Sequence, residues 1–163
     1  MPKITILIAN PKTPYTDPNN GKTTPSTFGH VWYQLENSDT DRKSYGFAPH
    51  RDYHGQPFAP GDVVSTDTGA YGGHLLYIRK EEITKAQYDT LKTFSELALN
   101  AAPGSTVAAS DVSGKRHTFT LHYNGLTNSC IDYVWKALDI AGINRAVFEG
   151  ALLPTTNMSS FDY

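Results

Sequence analysis

The stretch from Ile131 to Gly142 most constrains how this chain can fold. Ile131, Val134, Trp135, Leu138 and Ala141 recur at helical spacing, and Gly142 supplies a stop. A helix with one apolar stripe must bury that stripe, so it requires a partner layer from elsewhere in the chain. The single cysteine, Cys130, stands directly before the stripe, where the turn-rich run Asn124, Gly125, Leu126, Thr127, Asn128, Ser129 ends. A thiol in a first helical turn faces unpaired backbone N–H groups and the positive end of the macrodipole, which favour thiolate. Cys130 is therefore a candidate nucleophile. The alternative is a small buried hydrophobe, the commonest state of a free cysteine, and a position ahead of the stripe argues against it.

A nucleophilic thiol needs a base, and among six histidines His30 stands out. It opens the β-branched and aromatic run Gly29 to Glu36, which reads as a strand; Lys43 to Ala48 follows a polar loop and returns antiparallel beside it. An imidazole at the start of a central strand is held by its neighbours, as a general base must be. Ile4 to Ala9, Asp62 to Thr66, His74 to Arg79 and His117 to Tyr123 also read as strands. Thr84 with Gln87 forms a capping box ahead of a helix striped by Tyr88, Leu91, Phe94 and Ala98 and stopped at Pro103-Gly104. Asn10 to Ser26 and Pro49 to Gly61 read as irregular. Asp67 to Gly73, with Gly69, Gly72 and Gly73, reads as a flexible loop, and Leu153 to Tyr163 as a weakly structured tail.

At 163 residues the chain fits one domain, 1–163, with a full core. A net charge of −2 and a pI near 6.3 provide no basic surface, which disfavours nucleic acid. No apolar run reaches the roughly 20 residues of a membrane span, and Ile4 to Ala9 is too short for a signal-peptide core. The expectation is a chain synthesised in the cytoplasm without a signal peptide and without stable membrane insertion. One cysteine leaves no internal disulfide to depend on an oxidising compartment.

Other constellations are weaker. His50, Asp52 and His54 alternate along one segment and present three potential metal ligands, but Pro49, Arg51 and Gly55 favour a solvated loop, and no metal is expected. The glycines at 69, 72 and 73 are not followed by Lys-Ser/Thr, so a phosphate cradle is disfavoured and no cofactor is expected. No Gly-x-Ser-x-Gly elbow supports a serine nucleophile. Trp32, Tyr33, Tyr45, Tyr53 and Tyr71 read as half-buried sheet residues or as cleft lining.

Taken together, Gly29-His30-Val31-Trp32-Tyr33 on a strand, the returning Ser44-Tyr45-Gly46-Phe47-Ala48-Pro49, a helix around Gln87-Tyr88, and Asn128-Ser129-Cys130 opening a helix resemble the circularly permuted papain-like families. In these the histidine precedes the cysteine, as in permuted NlpC-type amidases and the lecithin retinol acyltransferase group. More narrowly, the motifs look like those of bacterial amidase effectors, some delivered by type VI secretion. The resemblance covers about residues 28 to 142. It implies an α+β fold in which an antiparallel half-barrel sheet packs on the cysteine helix, with Cys130 as nucleophile and His30 as base. Such families also place a polar residue on the strand after the histidine to orient the imidazole. The equivalent place here falls near Ser44, Tyr45 and Gly46, so Ser44, Tyr45 and the loop residue His50 are the candidates, and the third role stays open.

The expectation is a cysteine amidase or peptidase acting on a peptidoglycan peptide or another amide, as an antibacterial toxin secreted into the periplasm of a target cell. A cognate immunity protein and a secretion-machine component are the accompanying partners. The rivals are a thiol acyltransferase or protein deamidase of the same fold, and a non-catalytic binding module in which Cys130 is merely packed.

Overall fold

The computed structural model describes residues 1–26 and 29–143, so the tail expected over Leu153 to Tyr163 lies outside the described residues. In chain order the elements are β1 (Lys3–Ala9), β2 (Pro14–Thr16), β3 (Thr23–Pro25), β4 (His30–Ser38), β5 (Asp41–Pro49) and a 3-10 turn (Arg51–Tyr53). Next come β6 (Phe58–Val64), α1 (Asp67–Tyr71), β7 (Tyr77–Glu82) and α2 (Lys85–Asn100), then β8 (Thr106–Ser110), β9 (Arg116–Thr120), β10 (His122–Asn124) and α3 (Cys130–Ala141). The fold is α+β. One antiparallel sheet runs in the order β10-β6-β5-β4-β1-β7, and β2-β3 and β8-β9 form two small hairpins.

At its centre the sheet buries both faces, for two different reasons. On one face Ile4, Ile6 and Ile8 of β1, Val31, Tyr33 and Leu35 of β4, and Tyr45 and Phe47 of β5 meet the stripes of α2 and α3 in the main core. The other face carries the alternate residues Leu7, Ala9 and Trp32, covered by Ala70 and Tyr71 of α1. Strands buried on both faces read as continuous apolar runs, which is why Ile4 to Ala9 lacks alternation. At the helix ends, α2 opens on the Thr84–Gln87 capping box and α3 stops at Gly142 in the left-handed conformation, φ 71°.

Four expectations are corrected. Asp67 to Gly73 is not a flexible loop: residues 67–71 form α1, and Gly72 ends it with φ 59°. Local glycines signalled a loop, but burial of Ala70 and Tyr71 against the sheet outweighs that signal. The strand expected over His117 to Tyr123 is two strands broken at Leu121, whose N–H donates to Ser105 O (2.7 Å) and whose carbonyl accepts from Gly61 N (2.7 Å). The irregular Asn10 to Ser26 segment contains the β2-β3 hairpin. Strands β6 and β7 are displaced from the expected Asp62 to Thr66 and His74 to Arg79. In β6 the run starts at Phe58 and passes through Pro60 and Gly61, where a side chain would press on the Phe47 ring (2.7 Å) and Ala48 O (2.8 Å). Strand β8, the partner of β9, is not among the strands expected above.

Candidate active site

His30 is the first residue of β4, directly across from Ala9. Gly29 before it has φ 78° and lies so close to Ala9 O that a Cβ there would overlap it, so the chain enters β4 through a bend that only glycine fits. The imidazole is buried, and its Nε2 donates to Asp67 Oδ2 at 2.8 Å. Space for this pair comes from Gly46 on the neighbouring strand, where a Cβ would overlap Asp67 Oδ2 and approach His30 Nε2 to 3.0 Å. The carboxylate is delivered by α1, itself fixed by Trp32 Nε1 donating to Thr68 Oγ1 at 3.1 Å. Burial, the largest influence, opposes protonation of His30. The charge of Asp67, together with the Asp67 hydrogen bond, overrides it and holds the imidazole pKa well above its usual value.

Cys130 occupies the first turn of α3. Ser129 caps the helix, accepting from Ile131 N at 3.3 Å, while its own N–H donates to Asp132 Oδ2 at 2.7 Å. The expectation that Cys130 stands clear of the packed stripe is corrected: the residue is only 5% exposed and belongs to the main core, because α3 is buried from its first turn. No hydrogen bond joins Cys130 to His30 among the described residues. They lie within electrostatic range of each other, as do the phenols of Tyr71 and Tyr123.

The three residues considered for orienting the imidazole make their hydrogen bonds elsewhere. Ser44 Oγ donates to Ser65 O at 3.1 Å. Tyr45 OH donates to Glu96 Oε2 at 3.0 Å and accepts from Lys92 Nζ at 2.9 Å. His50 Nδ1 donates to Asp62 Oδ2 at 2.8 Å and its Nε2 reaches Asp52 at 3.3 Å. The group on the imidazole is Asp67, whose own neighbourhood in the sequence is a glycine-rich stretch with the signature of a loop. The alternating trio also separates: His54 leaves the other two and stacks on Tyr15, ring centroids 6.2 Å apart. Among the described residues no group of three or more His, Cys, Asp or Glu side chains is placed to hold a metal. Two grooves of about 550 and 650 Å³ flank α3 and α2, and neither is lined by Cys130, His30 or Asp67.

The arrangement is a buried carboxylate–imidazole pair on one strand and one helical turn, with a helix-start thiol in electrostatic range, set in an α+β fold. Comparisons with protein-family models, with curated proteins and with solved structures find no match to this chain. Among the described residues no helix is long and apolar enough to cross a membrane.

Proposed function

We propose that the protein is a cysteine amidase of permuted papain-like type, with Cys130 as nucleophile, His30 as general acid and base, and Asp67 orienting the imidazole. The observation that carries this reading is the buried His30–Asp67 hydrogen bond, for which Gly46 leaves the room. A carboxylate on one ring nitrogen fixes the ring and its tautomer and stabilises the imidazolium. Among the described residues no hydrogen bond occupies the other nitrogen, Nδ1. In the reaction the Cys130 thiolate attacks an amide carbonyl, backbone N–H groups at the start of α3 stabilise the oxyanion, and His30 protonates the departing amine. Water activated by the neutral imidazole then attacks the thioester and releases the acid with the thiol restored. The substrate that fits the resemblance is a peptidoglycan peptide, attacked in the periplasm of a target cell after secretion.

Cys130→Ala and His30→Ala are each expected to abolish amide hydrolysis of purified peptidoglycan, the double variant being hardly worse than either single one, because members of one catalytic unit are not additive. A periplasmic-export fusion of the wild-type chain is expected to lyse a Gram-negative host, and the Cys130→Ala fusion to spare it. Wild-type turnover in both single variants would overturn the assignment. Toxicity confined to the cytoplasm would favour a deamidase over a cell-wall enzyme.

The burial of Cys130 favours a second reading, a binding module that keeps the fold while the thiol only packs. Native-state alkylation separates the two: an active-site thiol reacts with iodoacetamide at pH 6 without unfolding, and a packed one reacts only at the rate of global opening.

A further inference from the structure

Tyr71 reaches His30 from the helix that supplies Asp67. The two residues are four apart, so they share one face of α1. Asp67 meets the imidazole at its edge, through Nε2. Tyr71 stacks near-parallel to it, with centroids 5.5 Å apart and ring planes 16° apart. Trp32, two residues along β4, completes a near-parallel group, 5.5 Å from His30 and 5.0 Å from Tyr71. Tyr71 is itself held from outside. The β2-β3 hairpin lays Tyr15 against it at 5.2 Å, and its hydroxyl donates to Ser26 Oγ at 3.4 Å.

The titratable groups around His30 come from four elements: Asp67 and Tyr71 of α1, Cys130 of α3, Tyr15 of β2 and Tyr123 of β10. Burial pushes the Tyr15 phenol up to about 12 and raises those of Tyr71 and Tyr123 as well, so all three are neutral at working pH. What faces His30 from Tyr71 is therefore an uncharged ring. Its π face is electron-rich and attracts a cation within about 6 Å of the centroid.

We propose that Tyr71 is a positioning residue for His30, its ring face and the Asp67 carboxylate clamping the imidazolium between them. The role rests on His30 serving the proposed amidase, but the clamp is measurable without substrate. Asp67 fixes rotation of the ring in its own plane, and Tyr71 with Trp32 restrains tilt out of it. One turn of helix thus does the orienting that a single side chain on the next strand was expected to do.

The test is an NMR titration of His30 in the full chain. Tyr71→Phe keeps the ring and is expected to leave the His30 midpoint within about 0.3 pH unit of wild type; Tyr71→Leu is expected to lower it by about half a unit or more. Fluorinated phenylalanines installed at position 71 retain the shape while withdrawing electron density from the face, and the midpoint is expected to fall stepwise with fluorine content. The Trp32 indole N–H signal, set by its bond to Thr68, reports in each variant whether α1 is still docked, and the fluorine series decides the matter if Tyr71→Leu undocks it. A midpoint indifferent to fluorine, or a Tyr71→Phe midpoint as low as that of Tyr71→Leu, overturns the clamp. The same titration in Cys130→Ala keeps the two readings apart, since failure of Cys130 as nucleophile appears in hydrolysis and failure of the clamp in the midpoint.

Discussion

At the scale of residues, the site depends on an absent side chain as much as on those present. Any Cβ at position 46 would occupy the space of the Asp67 carboxylate, so Gly46→Ala must displace α1 or break the His30–Asp67 bond. It is expected to cost about 1–3 kcal/mol in denaturant melts, the usual penalty of overpacking, and to remove hydrolysis while the sheet survives. Asp67→Asn separates charge from shape. The raised pKa of His30 means that the folded chain holds that proton more tightly than the unfolded chain, where imidazole titrates near 6.5. The resulting stabilisation is fully present below about pH 6.5 and is lost as pH rises through the higher folded value. The stability gap between wild type and Asp67→Asn is therefore expected to be widest near pH 6 and to narrow as pH rises through the higher folded value. A gap independent of pH would mean that Asp67 serves only as a neutral acceptor.

At the scale of elements, α3 is held at its start by Ser129 and one turn later by Tyr133. The Tyr133 hydroxyl shares a hydrogen bond of 2.9 Å with that of Tyr33 on β4, which also lies 2.6 Å from Ser95 Oγ on α2. All three groups are buried, and burial raises both phenols, so they stay protonated and the three elements remain tied. Tyr133→Phe leaves Tyr33 its bond to Ser95 and is expected to cost about 1 kcal/mol. Tyr33→Phe removes the shared partner of two buried hydroxyls and is expected to cost about 1–3 kcal/mol, both read by denaturant melts. Ser129→Ala removes the cap of the helix carrying Cys130, with an expected loss of about 1 kcal/mol. The helix α1 is of another kind. It has five residues and no side-chain cap at its N-terminus, so it is stabilised by what it docks on rather than by its own propensity.

At the scale of the whole molecule, the parts legible in the sequence are those whose signal is local. The stripe and stop of α3, the capping box of α2, the β4-β5 hairpin and the buried character of β1 are each written in consecutive residues, because helix period, caps and turn chemistry act over a few positions. His30 and Cys130 could be singled out for the same reason, one opening a strand and the other a helix. Asp67 could not, since its significance lies in a contact across 37 residues and its own neighbourhood, Asp67 to Gly73, spells a loop. The split of β9 from β10 and the displacement of β6 likewise follow from the crossing of Gly61 and Leu121, a long-range approach that no window along the chain records. Sequence alone thus determined which segments form the main helices and the central strands, and that His30 and Cys130 open one of each. Only the tertiary structure decided which carboxylate meets the imidazole, that a glycine-rich stretch becomes a helical turn, and that the thiol is buried, because each depends on surfaces brought together by burial rather than on the propensities of neighbouring residues.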